Sequence, residues 1–303
     1  MPQYPMMLVD AFTSVPLAGN ACAVLFETDG MSPETMQAIA REMNLSETAF
    51  ARRSTIADVG ARYYTPGSEI PLAGHPTIAT IYALVRTGRL TMKGDVTPIA
   101  LELRDGPIQV EVRGSGGVIK QVVMTQRKPE FGAPLDANEV MPLFGLTPAD
   151  LHPGGRAGAG RPQIQVVSTG TPQLMVPVRD LDALKRVTLD PRGAARLKEK
   201  AGFFSIHLFT TTGATPHGRT FARHFGVPPD TFEDPFTGSA TGGMGAFLWR
   251  HRLIDTPTFV AEQGHWMHRP GEAQVEVVGP PDAIETVKVG GAAVSVMEGT
   301  ITL

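Results

Sequence analysis

From Met6 to Phe12 and again from Ala21 to Glu27 the chain is apolar with short interruptions, and the turn-forming stretch Val15-Pro16-Leu17-Ala18-Gly19-Asn20 lies between them. This reads as strand, turn, strand. The period then changes. Met36, Ile39, Ala40 and Met43 fall on one helical face, and Ser32-Pro33-Glu34 supplies an N-cap, a proline suited to the first helical position and a carboxylate at the positive end of the dipole. Asn44 is expected to end this helix. Glu47 is then expected in the short connection Leu45-Ser46-Glu47-Thr48, ahead of a β-rich run from Ala49 to Arg53, and such connections commonly carry function.

Pro76 to Thr87 is apolar almost all round until Arg86, with Gly88 placed as a C-terminal cap. A helix of that kind has to be enclosed. The strand-like runs Gly60 to Tyr64, Val96 to Leu103, Ile108 to Val112 and Val118 to Met124 are available to enclose it, so the first part of the chain reads as a sheet wrapped around one buried helix. A second part repeats the plan. Its strand-like runs are Gln163 to Ser168, Gln173 to Val178, Ile206 to Thr211, Thr258 to Glu262 and Gln274 to Val278, and its small apolar helix is Ala240 to Arg250. The two helix openings, Leu72-Ala73-Gly74-His75-Pro76-Thr77 and Phe236-Thr237-Gly238-Ser239-Ala240-Thr241, resemble each other and suggest an internal duplication. Val287 to Val289 and Ala293 to Leu303 are expected to return to the first part. The domains are thus expected at 1–120 with 288–303, and at 121–287. The Gly- and Pro-rich piece His152 to Pro162 reads as a surface loop.

At 303 residues, a chain of two domains is the natural prior, and 42% hydrophobic with 19% charged residues is a globular balance. The formal net charge of −3 and the absence of any long basic run remove the electrostatic case for nucleic acid or an anionic membrane. The apolar stretches are too short to span a bilayer and the first residues lack a secretory pattern, so a cytoplasmic location is expected. The single Cys22 excludes an intrachain disulfide and a cysteine-based zinc site.

Two helices that open on glycine offer free backbone N–H groups, and such groups bind anions without any lysine. If the two parts face each other, both openings aim at one cleft, suited to a substrate carboxylate and to enolate-like charge developing beside it. Gly74-His75 and Gly238-Ser239 also read as plain capping and packing sequences. Glu47 is the best candidate base, because proton abstraction beside a carboxylate needs a group that can be partly protonated and kept dry; its other reading is an exposed loop glutamate. His75 reads as a hydrogen-bond donor, as a second acid/base or as a helix cap. Asp234 reads as a turn residue before Pro235, or as a group that binds a substrate amine or hydroxyl or hands on a proton with Ser239. His265 and His268 show no metal-ligand spacing with a partner, so no metal site is expected. Ser239 lacks the second glycine of a nucleophile elbow.

At these residues the chain resembles the phenazine-biosynthesis PhzF-like isomerase family, relatives of diaminopimelate epimerase. The matching motifs are Asp10-Ala11-Phe12-Thr13 with Pro16 and Gly19-Asn20, Asn44-Leu45-Ser46-Glu47-Thr48, Thr65-Pro66 with Glu69, and Gly74-His75-Pro76-Thr77. In the second half they are Ser168-Thr169-Gly170, Glu233-Asp234-Pro235 with Thr237-Gly238-Ser239-Ala240, and Glu262-Gln263-Gly264 with Arg269-Pro270. The resemblance implies an α+β, diaminopimelate epimerase-like fold of two pseudo-symmetric lobes, each a mostly antiparallel β-barrel around a central apolar helix. It further implies an active site between the lobes, and a homodimer. It assigns Glu47 as the catalytic acid/base, which in the phenazine enzyme moves a proton between carbons of a dihydro-hydroxyanthranilate. His75, Asp234 and Ser239 match supporting polar groups, and Asn20, Gly74, His75, Gly238, Ser239 and Ala240 match substrate-binding positions. Ala21 departs from the proline that often follows the Gly-Asn turn. Two-thiol epimerases of the same superfold place a cysteine at each helix start, where this chain has His75 and Ser239.

The expected function is therefore an isomerase that relocates a proton on a small carboxylate-bearing substrate with no metal and no cofactor. The alternatives are an amino-acid-type epimerase on the same fold and a noncatalytic small-molecule binding protein.

Overall fold

The computed structural model describes residues 1–154, 162–228 and 233–303 and divides into two compact units, Met1–Thr125 with Gly290–Leu303, and Gln126–Val289. The middle of the expected His152–Pro162 loop, 155–161, lies outside the described residues.

In the first unit, β1 (Gln3–Ala11), β2 (Asn20–Leu25), α1 (Pro33–Met43), β3 (Glu47–Arg52), β4 (Val59–Tyr64), β5 (Glu69–Ile70), α2 (Gly74–Arg86), β6 (Val96–Leu103), β7 (Gly106–Ser115) and β8 (Val118–Thr125) follow one another. The chain's last strand, Ala293–Thr302, pairs antiparallel with β1 over its whole length. Pairing is antiparallel for β1–β2, β3–β4, β4–β5, β6–β7 and β7–β8, and parallel for β2–β3 and β4–β6. The local rules account for α1: the Ser32 hydroxyl accepts from the Thr35 amide, Pro33 takes the first position, and Asn44 ends the helix in the left-handed region at φ 50°. α2 packs against β1, β2, β3, β8 and the last strand, and its residues Gly74 to Leu84 are all buried. Ile78, Ala79, Ile81 and Ala83 are at 0% exposure, the enclosure that an apolar helix requires.

The second unit contains β9 (Glu130–Leu135), α3 (Ala137–Val140), β10 (Ile164–Ser168), β11 (Pro172–Pro177), α4 (Leu181–Lys185), α5 (Pro191–Ala201), β12 (Ser205–Thr210), β13 (Thr220–Phe225), β14 (Glu233–Asp234), α6 (Gly238–Arg250), β15 (Thr258–Gln263), β16 (Gly271–Val278) and β17 (Thr286–Gly291). The last strand above is therefore β18. Pairing is antiparallel for β10–β11, β12–β13, β13–β14 and β15–β16, and parallel for β11–β12 and β13–β15. That is the sequence of pairings found from β1 to β7, with α6 in the place of α2, so the backbone repeats as the helix openings suggest. α6 packs against β10, β11, β12 and β16.

Candidate active site

In the first unit the turn after β1 delivers Asn20 to the start of α2. The Asp10 carboxylate accepts the Leu17 amide at 2.7 Å, which fixes the turn. Gly19 sits at φ +57°, and a Cβ there would run into the Ala11 carbonyl oxygen, so only glycine closes it. Asn20, buried as the first residue of β2, then places its Nδ2 3.0 Å from His75 Nδ1. Glu47 is the first residue of β3, not a loop residue as expected: its backbone lies across from Cys22 in the parallel β2–β3 ladder, and strand geometry fixes its direction. Its Oε2 is 3.3 Å from His75 Nε2, a contact not aligned as a hydrogen bond.

Burial pushes the His75 imidazole down to about 3, against a smaller opposing effect of a hydrogen bond with the Ala21 backbone. Near neutral pH the ring is uncharged, so its 3.3 Å approach to the Glu47 carboxyl is a contact with a neutral imidazole and not half of an ion pair. Burial first, and the Glu47 charge second, push the neighbouring Cys22 thiol up, so it stays protonated and unreactive.

Neither central helix has a side-chain cap at its N-terminus: Ala73 cannot supply one, and Thr237 makes none to the first turn. No acidic residue occupies either first turn. The N–H groups of Gly74, His75, Gly238, Ser239 and Ala240 belong to the set that has no partner within a helix, which suits an anion.

In the second unit, Asp234 ends β14 and is 4% exposed. The Thr237 hydroxyl donates to its Oδ2. Gln263 braces the same turn, donating from Nε2 to the Asp234 carbonyl at 2.6 Å and accepting the Thr237 amide on Oε1 at 3.2 Å. Gly264, at φ +84°, lies where a Cβ would strike the carbonyl oxygens of Pro235 and Arg269, which explains the glycine in Glu262-Gln263-Gly264. Ser239 receives a hydrogen bond on Oγ from Gln173 Nε2 at 3.2 Å. Gln126 Nε2 donates to the Gly238 carbonyl at 2.9 Å while its Oε1 accepts from Thr169 at 2.5 Å.

The residues singled out in the sequence thus fall into two sets. Asn20, Glu47, Gly74 and His75 come together in the first unit; Asp234 and Ser239 are each held near the start of α6, with Gly238 and Ala240, in the second. Gln173, Gln126 and Thr237 escaped attention as side chains that hold these groups, since Gln173 lies within an apolar run and nothing local marks it. His265 does have an acidic neighbour, Glu262 Oε1 at 3.9 Å, but that carboxylate is occupied by the Thr215 amide and hydroxyl.

Comparison with known proteins agrees with the motifs. Residues 9–299 match the model of the phenazine biosynthesis-like protein family, to which the chain belongs. It is 32% identical to the trans-2,3-dihydro-3-hydroxyanthranilate isomerase of Pseudomonas fluorescens, covering 98% of this chain and 99% of that one. It is 31% identical to the uncharacterized isomerase YfhB of Bacillus subtilis, covering 91% and 92%. Among solved structures, the PhzF-family phenazine biosynthesis protein of Bacillus anthracis superposes with a TM-score of 0.85 at 30% identity over the whole of both chains. A hydroxyproline epimerase from Agrobacterium vitis shares the fold alone, at a TM-score of 0.65 and 12% identity. The chain is an isomerase with the mixed α/β, epimerase-like fold of these proteins. Among the described residues no helix is long and apolar enough to cross a membrane.

Proposed function

We propose that this isomerase moves a proton between carbons of a small, carboxylate-bearing substrate, with Glu47 as the acid/base, and that it does so without metal or organic cofactor. The observation that carries the reading is the 3.3 Å approach of Glu47 Oε2 to a buried His75 whose imidazole is neutral. A carboxyl fixed by strand geometry beside a buried neutral ring is placed to take a proton from one carbon and return it to another. The likeness to a trans-2,3-dihydro-3-hydroxyanthranilate isomerase supports a substrate of that general kind, an unsaturated or cyclic carboxylate. The N–H groups of Gly74, His75, Gly238, Ser239 and Ala240 are assigned to the substrate carboxylate and to charge developing next to it, with Asn20 fixing His75. Asp234 and Ser239 take the supporting polar roles.

The test is solvent deuterium incorporation. Unaltered protein in D2O is expected to label the product carbon of trans-2,3-dihydro-3-hydroxyanthranilate or of another accepted carboxylate, and Glu47→Gln to abolish labelling while still binding the compound. Undiminished labelling by Glu47→Gln removes Glu47 from the mechanism. Chiral analysis of the recovered substrate separates a double-bond isomerase from an epimerase: one hand only supports the former.

A further inference from the structure

Three positions around the start of α6 differ in kind from their counterparts around α2. In the first unit Tyr63 and Tyr64 pair with Ile70 and Glu69; in the second His224 and Phe225 pair with Asp234 and Glu233. Asp234 therefore occupies the register position of Ile70. The residue before each helix is Ala73 in one case and Thr237 in the other. Along the parallel pairs, Val59 and Gly60 face Leu101 and Glu102 while Thr220 and Phe221 face Ala261 and Glu262, so Gln263 occupies the position of Leu103. Ile70, Ala73 and Leu103 are buried and apolar; Asp234 and Gln263 are equally buried and polar.

One polar substitution in such a place would leave an unsatisfied group at a cost of about 1–3 kcal/mol, so polar residues survive there as a set or not at all. The hydrogen bonds give the set a direction. Gln263 Nε2 lies 3.4 Å from Thr237 Oγ1 as a donor, which leaves the Thr237 hydroxyl proton to go to Asp234 Oδ2. Gln263 also spans the turn between the Asp234 carbonyl and the Thr237 amide. Bracing the turn alone would need only those two backbone bonds. The hydroxyl is required only if the carboxylate itself must point one way.

We infer that Thr237 and Gln263 are positioning residues that hold the Asp234 carboxylate in a single orientation, Thr237 directly and Gln263 through Thr237. This rests on the assignment of Asp234 to the reaction, and the two claims fail separately.

The experiment compares Thr237→Val, Thr237→Ser and Gln263→Leu with the unaltered protein, each first checked for an undisturbed thermal unfolding midpoint. The Asp234 rotamer is read in crystals and its carboxyl by 13C NMR, with Asp234→Asn identifying the signal. Thr237→Val is expected to split Asp234 between rotamers and raise its titration midpoint by about one pH unit, the worth of a hydrogen bond to a charged group. Gln263→Leu should do the same to a smaller extent, and Thr237→Ser neither. A fixed Asp234 rotamer with an unmoved midpoint in Thr237→Val overturns the inference, as does Thr237→Ser disturbing Asp234 as much as Thr237→Val. If Thr237→Val does not fold, Gln263→Leu decides on the same two readings. Deuterium labelling by Asp234→Asn tests the other claim: full labelling removes Asp234 from the reaction whatever its orientation.

Discussion

Around α2 and α6 the backbone register is the same, and so is the fork that ties the sheet together beside each helix: Arg62 to Glu69 at 2.7 and 2.8 Å, Arg223 to Glu233 at 2.7 and 2.8 Å. What hangs on that frame is not the same. Cys22 faces Glu47 in one parallel ladder and Gln173 faces Ser205 in the other, so the counterpart of the proposed acid/base is a serine. His75 answers to Ser239. The comparison teaches that the two copies are under different constraints: enclosing an apolar helix preserves pairings and forks, whereas the proposed chemistry calls for one carboxyl beside one imidazole in the first copy and different polar groups, Asp234 and Ser239, in the second.

The most severe way to break the comparison is at that carboxyl. Glu47→Gln should lower turnover by about 100- to 10,000-fold, the range for loss of a positioned acid/base, whereas Ser205→Ala should leave turnover within about twofold; steady-state rates on one substrate decide it. Next come the forks. Arg223→Met is expected to cost about 3 kcal/mol of stability and Arg62→Met less, because Arg223 also donates to the carbonyls of Leu184 and Val187 at 3.2 and 3.1 Å; urea midpoints measure the order. A third effect is common to both copies. Burial lowers His75 and His224 each to about 3, below the ordinary value of 6.5. The unfolded chain then binds more protons between these values, so this stability is complete above about pH 6.5 and is lost as pH falls toward 3. Urea unfolding at pH 7, 5 and 4 should show a declining midpoint, and His224→Phe should flatten the decline. Smallest of all, Ser205→Ala should change stability by less than about 1 kcal/mol and in the favourable direction, since its buried Oγ has no hydrogen-bond partner among the described residues; thermal melts test the sign.

Much of the frame could be read from the sequence because its signals are local. The Ser32 cap, Pro33 and Asn44 define α1 to the residue, and the apolar stretches that become α2 and α6 announce their own burial. The same local logic was available and went unused for α5, where Asp190 caps, Pro191 opens and Gly202 closes the helix. β13 and β14 escaped because β13 carries Arg223 and His224 in mid-strand and β14 is only two residues long. Glu47, His75, Asp234 and Ser239 stood out through motif and helix opening. Their supports did not: Gln173 meets Ser239 across 66 residues of sequence and Gln126 meets Gly238 across 112, and periodicity carries no information at that range.

Because β18 completes the sheet beside β1, nearly the whole length of the chain must leave the ribosome before the first unit can close, while the second unit is one uninterrupted stretch from Gln126 to Val289. Nascent Met1–Thr125 therefore waits with β1 paired to β2 on one side and open on the other, a period in which a holding chaperone has an edge to protect, and the first unit is finished after the second.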